Sequence, residues 1–116
     1  MDLMERIPWV QIKEEAIKFS LDPKLIAAII MAESKCDPYA IRYEPAFTFR
    51  KTPSRFAKLN NISESTENLL QSCSIGLMQV MGCVARELGH SRSLLELVEP
   101  DTGIEYGCKK LQKLSL

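Results

Sequence analysis

With 116 residues, 46% of them apolar, the chain can build one domain around a single hydrophobic core and is too short for two. Its 15 basic and 15 acidic side chains cancel, and no polybasic run with interleaved aromatics marks a nucleic-acid surface. The apolar content excludes a disordered or fibrous chain, and the longest apolar run, Leu25 to Ala32, is too short for an integral membrane segment.

In chain order, residues 4–19 place Trp9, Ile12, Ala16 and Phe19 at three- and four-residue spacings with charges between them, which predicts an amphipathic helix. Asp22 and Pro23 then read as the N-cap and first position of a second helix, PKLIAAIIMAES, so apolar on every side that it predicts a central buried element. That helix should end near Cys36-Asp37-Pro38, because the residue before a proline disfavours helix. Between Ala40 and Gln71 the pattern weakens. A small β-hairpin is expected within residues 40–51, and short helices over Pro53 to Leu59 and Glu64 to Ser72. Residues 74–88 read as a helix despite Gly76 and Gly82, with Gly89 as its C-terminal cap. A short helix over residues 91–97 follows. Pro100 opens the last one, which carries Ile104, Cys108, Leu111 and Leu114 along one stripe. The expectation is an all-α single domain over residues 1–116.

The four cysteines, Cys36, Cys73, Cys83 and Cys108, show no C-x-x-C spacing, and His90 is the one histidine, so no metal site is expected. The N-terminal stretch MDLMERIPWVQIKEE carries charges where a signal peptide needs an uninterrupted apolar run. Synthesis in the bacterial cytoplasm and buried, reduced thiols are therefore expected.

Glu33 stands out. It lies at the C-terminal end of the most apolar helix, where burying a carboxylate is costly and the negative end of the helix dipole disfavours its charge. A carboxyl group that keeps its proton is what a glycosidase needs to protonate a leaving oxygen. The plainer reading, a solvated glutamate near a helix end, stands beside it.

Three ordered stretches bear on that choice. Glu33-Ser34 with Pro38 and Ala40 resembles the E-S-x-x-x-P-x-A motif of lytic transglycosylases. Ser74-Ile75-Gly76-Leu77-Met78-Gln79-Val80-Met81 resembles their G-L-M-Q motif. Pro100-Asp101-Thr102-Gly103-Ile104 with Gly107 and Leu111 is similar to their N-I-x-x-G-x-x-Y-L segment, with Lys110 where tyrosine is usual. Ile41 to Phe47 is similar to a form common among phage-encoded members.

The resemblance implies a lysozyme-like helical fold and Glu33 as catalytic acid and base. Ser34 would lie beside it on the cleft wall. Met78 and Gln79 would line the sugar groove, with Tyr43, Glu44, Ser74 and Tyr106 as further cleft residues. Core packing for Met78, Met81, Leu77 and Tyr106, and pairing of Glu44 with Arg42 or Arg50, are the structural alternatives.

The implied partner is the peptidoglycan glycan strand, cut without a cofactor. The family's A-Y-N-A-G segment is absent from these residues, so self-association or a second chain completing the cleft is a further expectation. A muramidase acting on the same bond, an inactive peptidoglycan-binding or virion structural domain, and a helical interaction module remain as alternatives. The missing export signal and the phage-like stretch suggest a phage or prophage lysis protein.

Overall fold

The computed structural model describes residues 2–114, which form six α-helices and a three-stranded antiparallel sheet. Helix α1 (Trp9–Phe19) does not run from residue 4 as expected: a separate 3₁₀ turn occupies Leu3–Arg6. Pro8 divides them, because it has no N–H to offer a helix interior. Ile12 and Ala16 of α1 face inward, while Phe19 is half-buried and Trp9 exposed.

Helix α2 (Pro23–Ser34) starts as its sequence dictates, with the Asp22 carboxylate accepting the Lys24 N–H at 2.9 Å. Its all-round burial is not found. Ile26, Ala27, Ile30 and Ser34 face the core, whereas Leu25, Ala28, Ala32 and Glu33 are exposed. The helix packs against α1 on one side, and its other side is left open to solvent. Its last turn closes on Lys35 in the left-handed region.

The largest departure from expectation is the sheet. Strand β1 (Ile41–Tyr43) does not fold back into a local hairpin; it pairs with β2 (Cys73–Ile75), placing Arg42 opposite Ser74. Strand β2 pairs in turn with β3 (Val80–Met81), giving the order β1-β2-β3. The helix expected over residues 74–88 is therefore a strand, a four-residue turn over 76–79 and a second strand. Only Gly82–Glu87 is helical, as α5.

The cause lies in the turn. Gly76 has φ +84°, a conformation costly for any side chain. A Cβ there would also run into the Leu97 carbonyl. Gly76 instead donates to the Ala40 carbonyl at 2.8 Å and accepts from the Gln79 N–H at 3.1 Å, which closes the turn. Past α5, Gly89 and His90 donate to the carbonyls of Arg86 and Ala85 at 3.1 and 3.0 Å, the cap expected of Gly89.

Helices α3 (Pro53–Asn60) and α4 (Glu64–Gln71) form where expected and pack on each other, with α4 seated on α5. The seat is a buried ion pair. Arg86 binds Glu67 through two nitrogens, each at 2.8 Å, and neither side chain touches solvent. Gln71 donates to the same carboxylate at 2.7 Å, and Arg86 also reaches the carbonyls of His90 and Arg92. The Phe56 ring covers its guanidinium at 4.4 Å.

A 3₁₀ segment at Leu94–Val98 stands where a short helix was expected, and α6 (Pro100–Leu114) completes the fold against α1. The central core gathers Ile12, Ile26, Ile30, Ile75, Leu97 and Ile104, all at zero exposure. Each such side chain contributes about 1.5–3 kcal/mol of burial. All four cysteines are buried and unpaired.

Candidate functional site

Helix α2, the 76–79 turn and α6 converge on one open groove of about 230 Å³. From α2 come Ile29 and Glu33, four residues apart and so stacked on one helix face. The turn and β3 supply Met78, Gln79 and Val80. Gly107, Lys110, Leu111 and Leu114 form the opposite wall, again at helical spacing on α6. Among the described residues that line this groove, Glu33 is the one carboxylate. It stands exposed on the groove wall, not buried as the apolar character of its helix implied.

Hydrogen bonds and a close contact fix the walls. The Ser34 hydroxyl, beneath Glu33 in the core, lies 2.7 Å from the Leu77 carbonyl and 3.1 Å from that of Ile30. It joins the end of α2 to the 76–79 turn. Ser34 therefore does not line the groove: burial commits its hydroxyl to the backbone, where it ties the turn of α2 that carries Glu33 to the turn that carries Met78 and Gln79.

The Gln79 side-chain amide nitrogen donates to the carbonyls of Ala40 at 2.9 Å and Gly76 at 3.0 Å. Two acceptors on one side of the amide fix its orientation and leave Oε1 as the atom for a ligand. The same residue holds φ +52°, a strained conformation for a non-glycine residue that the turn imposes. Met78 is both core and groove. It is buried yet lines the groove, because Gly107 lacks a side chain: a Cβ there would lie 2.7 Å from Met78 Cε and 2.9 Å from its Cβ.

The remaining expected cleft residues lie elsewhere. Glu44 and Ser74 share a second depression with Ala46, Phe47 and Met81, and Glu44 pairs with Arg42 at 3.1 Å. Tyr43 is exposed on β1, an edge strand. Tyr106 is corrected to the core. It is buried, its ring meets His90 edge-on with centroids 5.0 Å apart, and Lys109 lies over it at 4.4 Å. The face of α6 toward the groove falls between Tyr106 and Cys108, at Gly107. Sequence reasoning missed Ile29, Val80, Gly107, Lys110, Leu111 and Leu114 as lining residues. The four-residue step from Glu33 back to Ile29 was the available signal.

Burial raises the thiols of Cys36, Cys73 and Cys83 above the usual value of 9.0. Cys108 is pushed up to about 12, by burial first and by the Glu15 charge second. None of the four lines the groove, so none is a poised nucleophile there. No described helix is long and apolar enough to cross a membrane.

Residues 11–115 match the Transglycosylase SLT domain family. No curated protein and no solved structure matches the chain.

Proposed function

This chain belongs to the Transglycosylase SLT domain family, and from that premise we propose that it cleaves the β-1,4 bond between N-acetylmuramic acid and N-acetylglucosamine in peptidoglycan by lytic transglycosylation. The family supports a peptidoglycan-cleaving, lytic transglycosylase-like function in general. The observation that carries the finer reading is Glu33, the one carboxylate among the described residues of the α2–α6 groove, set beside Met78 and Gln79.

In the proposed reaction, Glu33 gives its proton to the glycosidic oxygen as the bond from that oxygen to muramic C1 breaks. The carbonyl oxygen of the substrate's own 2-acetamido group bonds to C1 and carries the positive charge as an oxazolinium. Glu33, now a carboxylate, takes the proton of the 6-hydroxyl. The O6 electron pair then bonds to C1, the oxazolinium ring opens, and a 1,6-anhydro sugar leaves. Glu33 ends protonated, ready for the next cycle. Gln79 Oε1, held by the two bonds on its nitrogen, accepts from an N–H or O–H of the bound sugar, and Met78 and Ile29 offer apolar surface to its ring.

A hydrolase of the same bond would use a second carboxylate across the groove. The nearest in sequence are occupied elsewhere. Asp37 is exposed and accepts the Tyr39 N–H at 2.9 Å, and Glu44 sits with Arg42 beside the second depression. This favours transglycosylation over muramidase action. Action as a phage or prophage lysis protein, made in the cytoplasm and reaching the wall after the membrane is breached, is part of the proposal.

The test is release of soluble fragments from purified peptidoglycan, wild type against Glu33→Gln. The proposal expects the variant to stay folded by circular dichroism and to lose at least about a hundredfold in rate, the scale of a lost general acid. A variant within about threefold of wild type would remove Glu33 from the chemistry. A wild type that binds peptidoglycan and releases nothing would favour an inactive binding domain.

A further inference from the structure

A second groove adjoins the first. It has a volume of about 360 Å³ and lies between α5 and α6, lined by Val84, Glu87, Leu88, Lys110, Lys113 and Leu114. Lys110 and Leu114 line both grooves, so the two are continuous along α6. Val84, Leu88 and Leu114 make it apolar. Lys110 and Lys113, three residues apart on one helix face, put two cations at its edge. Neither lysine pairs with a carboxylate of the described residues, whereas the neighbouring Lys109 is held by Glu105 at 3.3 Å.

We infer that this second groove is the subsite for the peptide stem carried on the lactyl arm of the muramic acid. The inference rests on the proposed substrate. A glycan lying across Glu33 must send its peptide branches off the strand, and a contiguous apolar groove with unpaired cations at its edge has the chemistry of a short, acidic, alanine-containing peptide. The lysines face the stem's carboxylates and the apolar lining takes its methyl groups. Glu87, the one acid among the described lining residues, faces the amino group of the stem's diamino residue. Lys110 sits at the junction of the two grooves, so its cation meets the first acidic group beyond the lactyl arm.

Two measurements test this. The first is binding of the N-acetylated tetrapeptide L-Ala-γ-D-Glu-meso-diaminopimelate-D-Ala, followed by amide shifts in ¹⁵N-labelled protein. Shifts should centre on Val84, Leu88 and Leu114. Lys113→Gln should weaken binding about three- to fivefold, and Lys113→Glu further, as expected for an exposed charge pair. The second is cleavage of glycan strands with and without their peptides. Lys113→Gln should raise KM severalfold on intact strands and leave peptide-free strands unchanged.

A peptide that shifts no residue of the groove overturns the inference, as does equal loss on both strands. Self-association in sedimentation that Lys113→Glu abolishes also overturns it, because the groove would then be covered by a second copy. No cleavage of either strand, with the peptide still bound in the groove, would overturn the proposed reaction and leave the stem subsite standing.

Discussion

Replacing Glu67 by alanine tests the most tightly built polar element of the fold. The substitution leaves the Arg86 guanidinium with no solvent contact and without the two 2.8 Å bonds that neutralise it. Breaking one side of a buried pair costs about 3–5 kcal/mol, because the surviving charge stays desolvated. The carbonyls of His90 and Arg92 still accept from the guanidinium, so the lower end, about 3 kcal/mol, is expected. That is a large share of the roughly 5–15 kcal/mol that holds a domain folded.

Urea unfolding followed by circular dichroism measures it. With a slope of about 1.5 kcal/mol/M, the midpoint should fall by about 2 M while the slope stays constant. Removing both partners, as Glu67→Met with Arg86→Met, should recover part of the loss, since no charge is then left buried. A loss below about 1 kcal/mol at unchanged slope, with no recovery in the double variant, would refute the reasoning. Helices α3 and α4 would then be only loosely attached to α5.

Four further outcomes follow from the same structure. Ser34→Ala should cost about 1–2 kcal/mol by urea unfolding, from a buried hydrogen bond lost and the Leu77 carbonyl left less satisfied. It should also lower the cleavage rate while Glu33 is intact, and full activity would mean that the bond does not position the groove. Gly76→Ala should lower stability by about 2–4 kcal/mol in thermal unfolding, since it combines a positive φ with a clash at the Leu97 carbonyl, and a neutral result would contradict the turn. The four thiols should resist alkylation at pH 8 until denaturant is added. Because Cys108 is raised from 9.0 to about 12, its contribution to stability is fully present below pH 9 and lost as pH climbs toward 12. A Cys108→Ala variant should show a shallower alkaline decline over that window, and an identical decline would assign it to other groups.

The parts of the fold legible in the sequence are those set by local chemistry. The Asp22-Pro23 start of α2, the α3 and α4 segments and the Gly89 cap depend on residues within one turn of each other, and all appear in the structure. What could not be read locally was the sheet. Strand β1 meets β2 across the whole of α3 and α4, and the pattern SIGLMQVM has the apolar density of a buried helix. Only the requirement for positive φ at Gly76 and Gln79 separates it from one.

The site divides in the same way. Glu33, Met78 and Gln79, drawn from two separate motifs, line one groove. Ser34 and Tyr106 were misplaced because neighbours in sequence point to different sides of a helix. Ser34 follows Glu33 by one residue and turns into the core, and Tyr106 precedes Gly107 and does the same. The expectation that α2 was buried all round failed for a related reason: composition reports how apolar a helix is, and not which side another element covers. That exposed side is the one carrying Glu33.

The most direct test of the central claim is mass spectrometry of the soluble products released from peptidoglycan by the wild-type protein and by Glu33→Gln. The account predicts fragments ending in 1,6-anhydro-muramic acid from the wild type and none from the variant. Fragments heavier by one water, with reducing ends, would contradict it and require a second carboxylate to deliver that water.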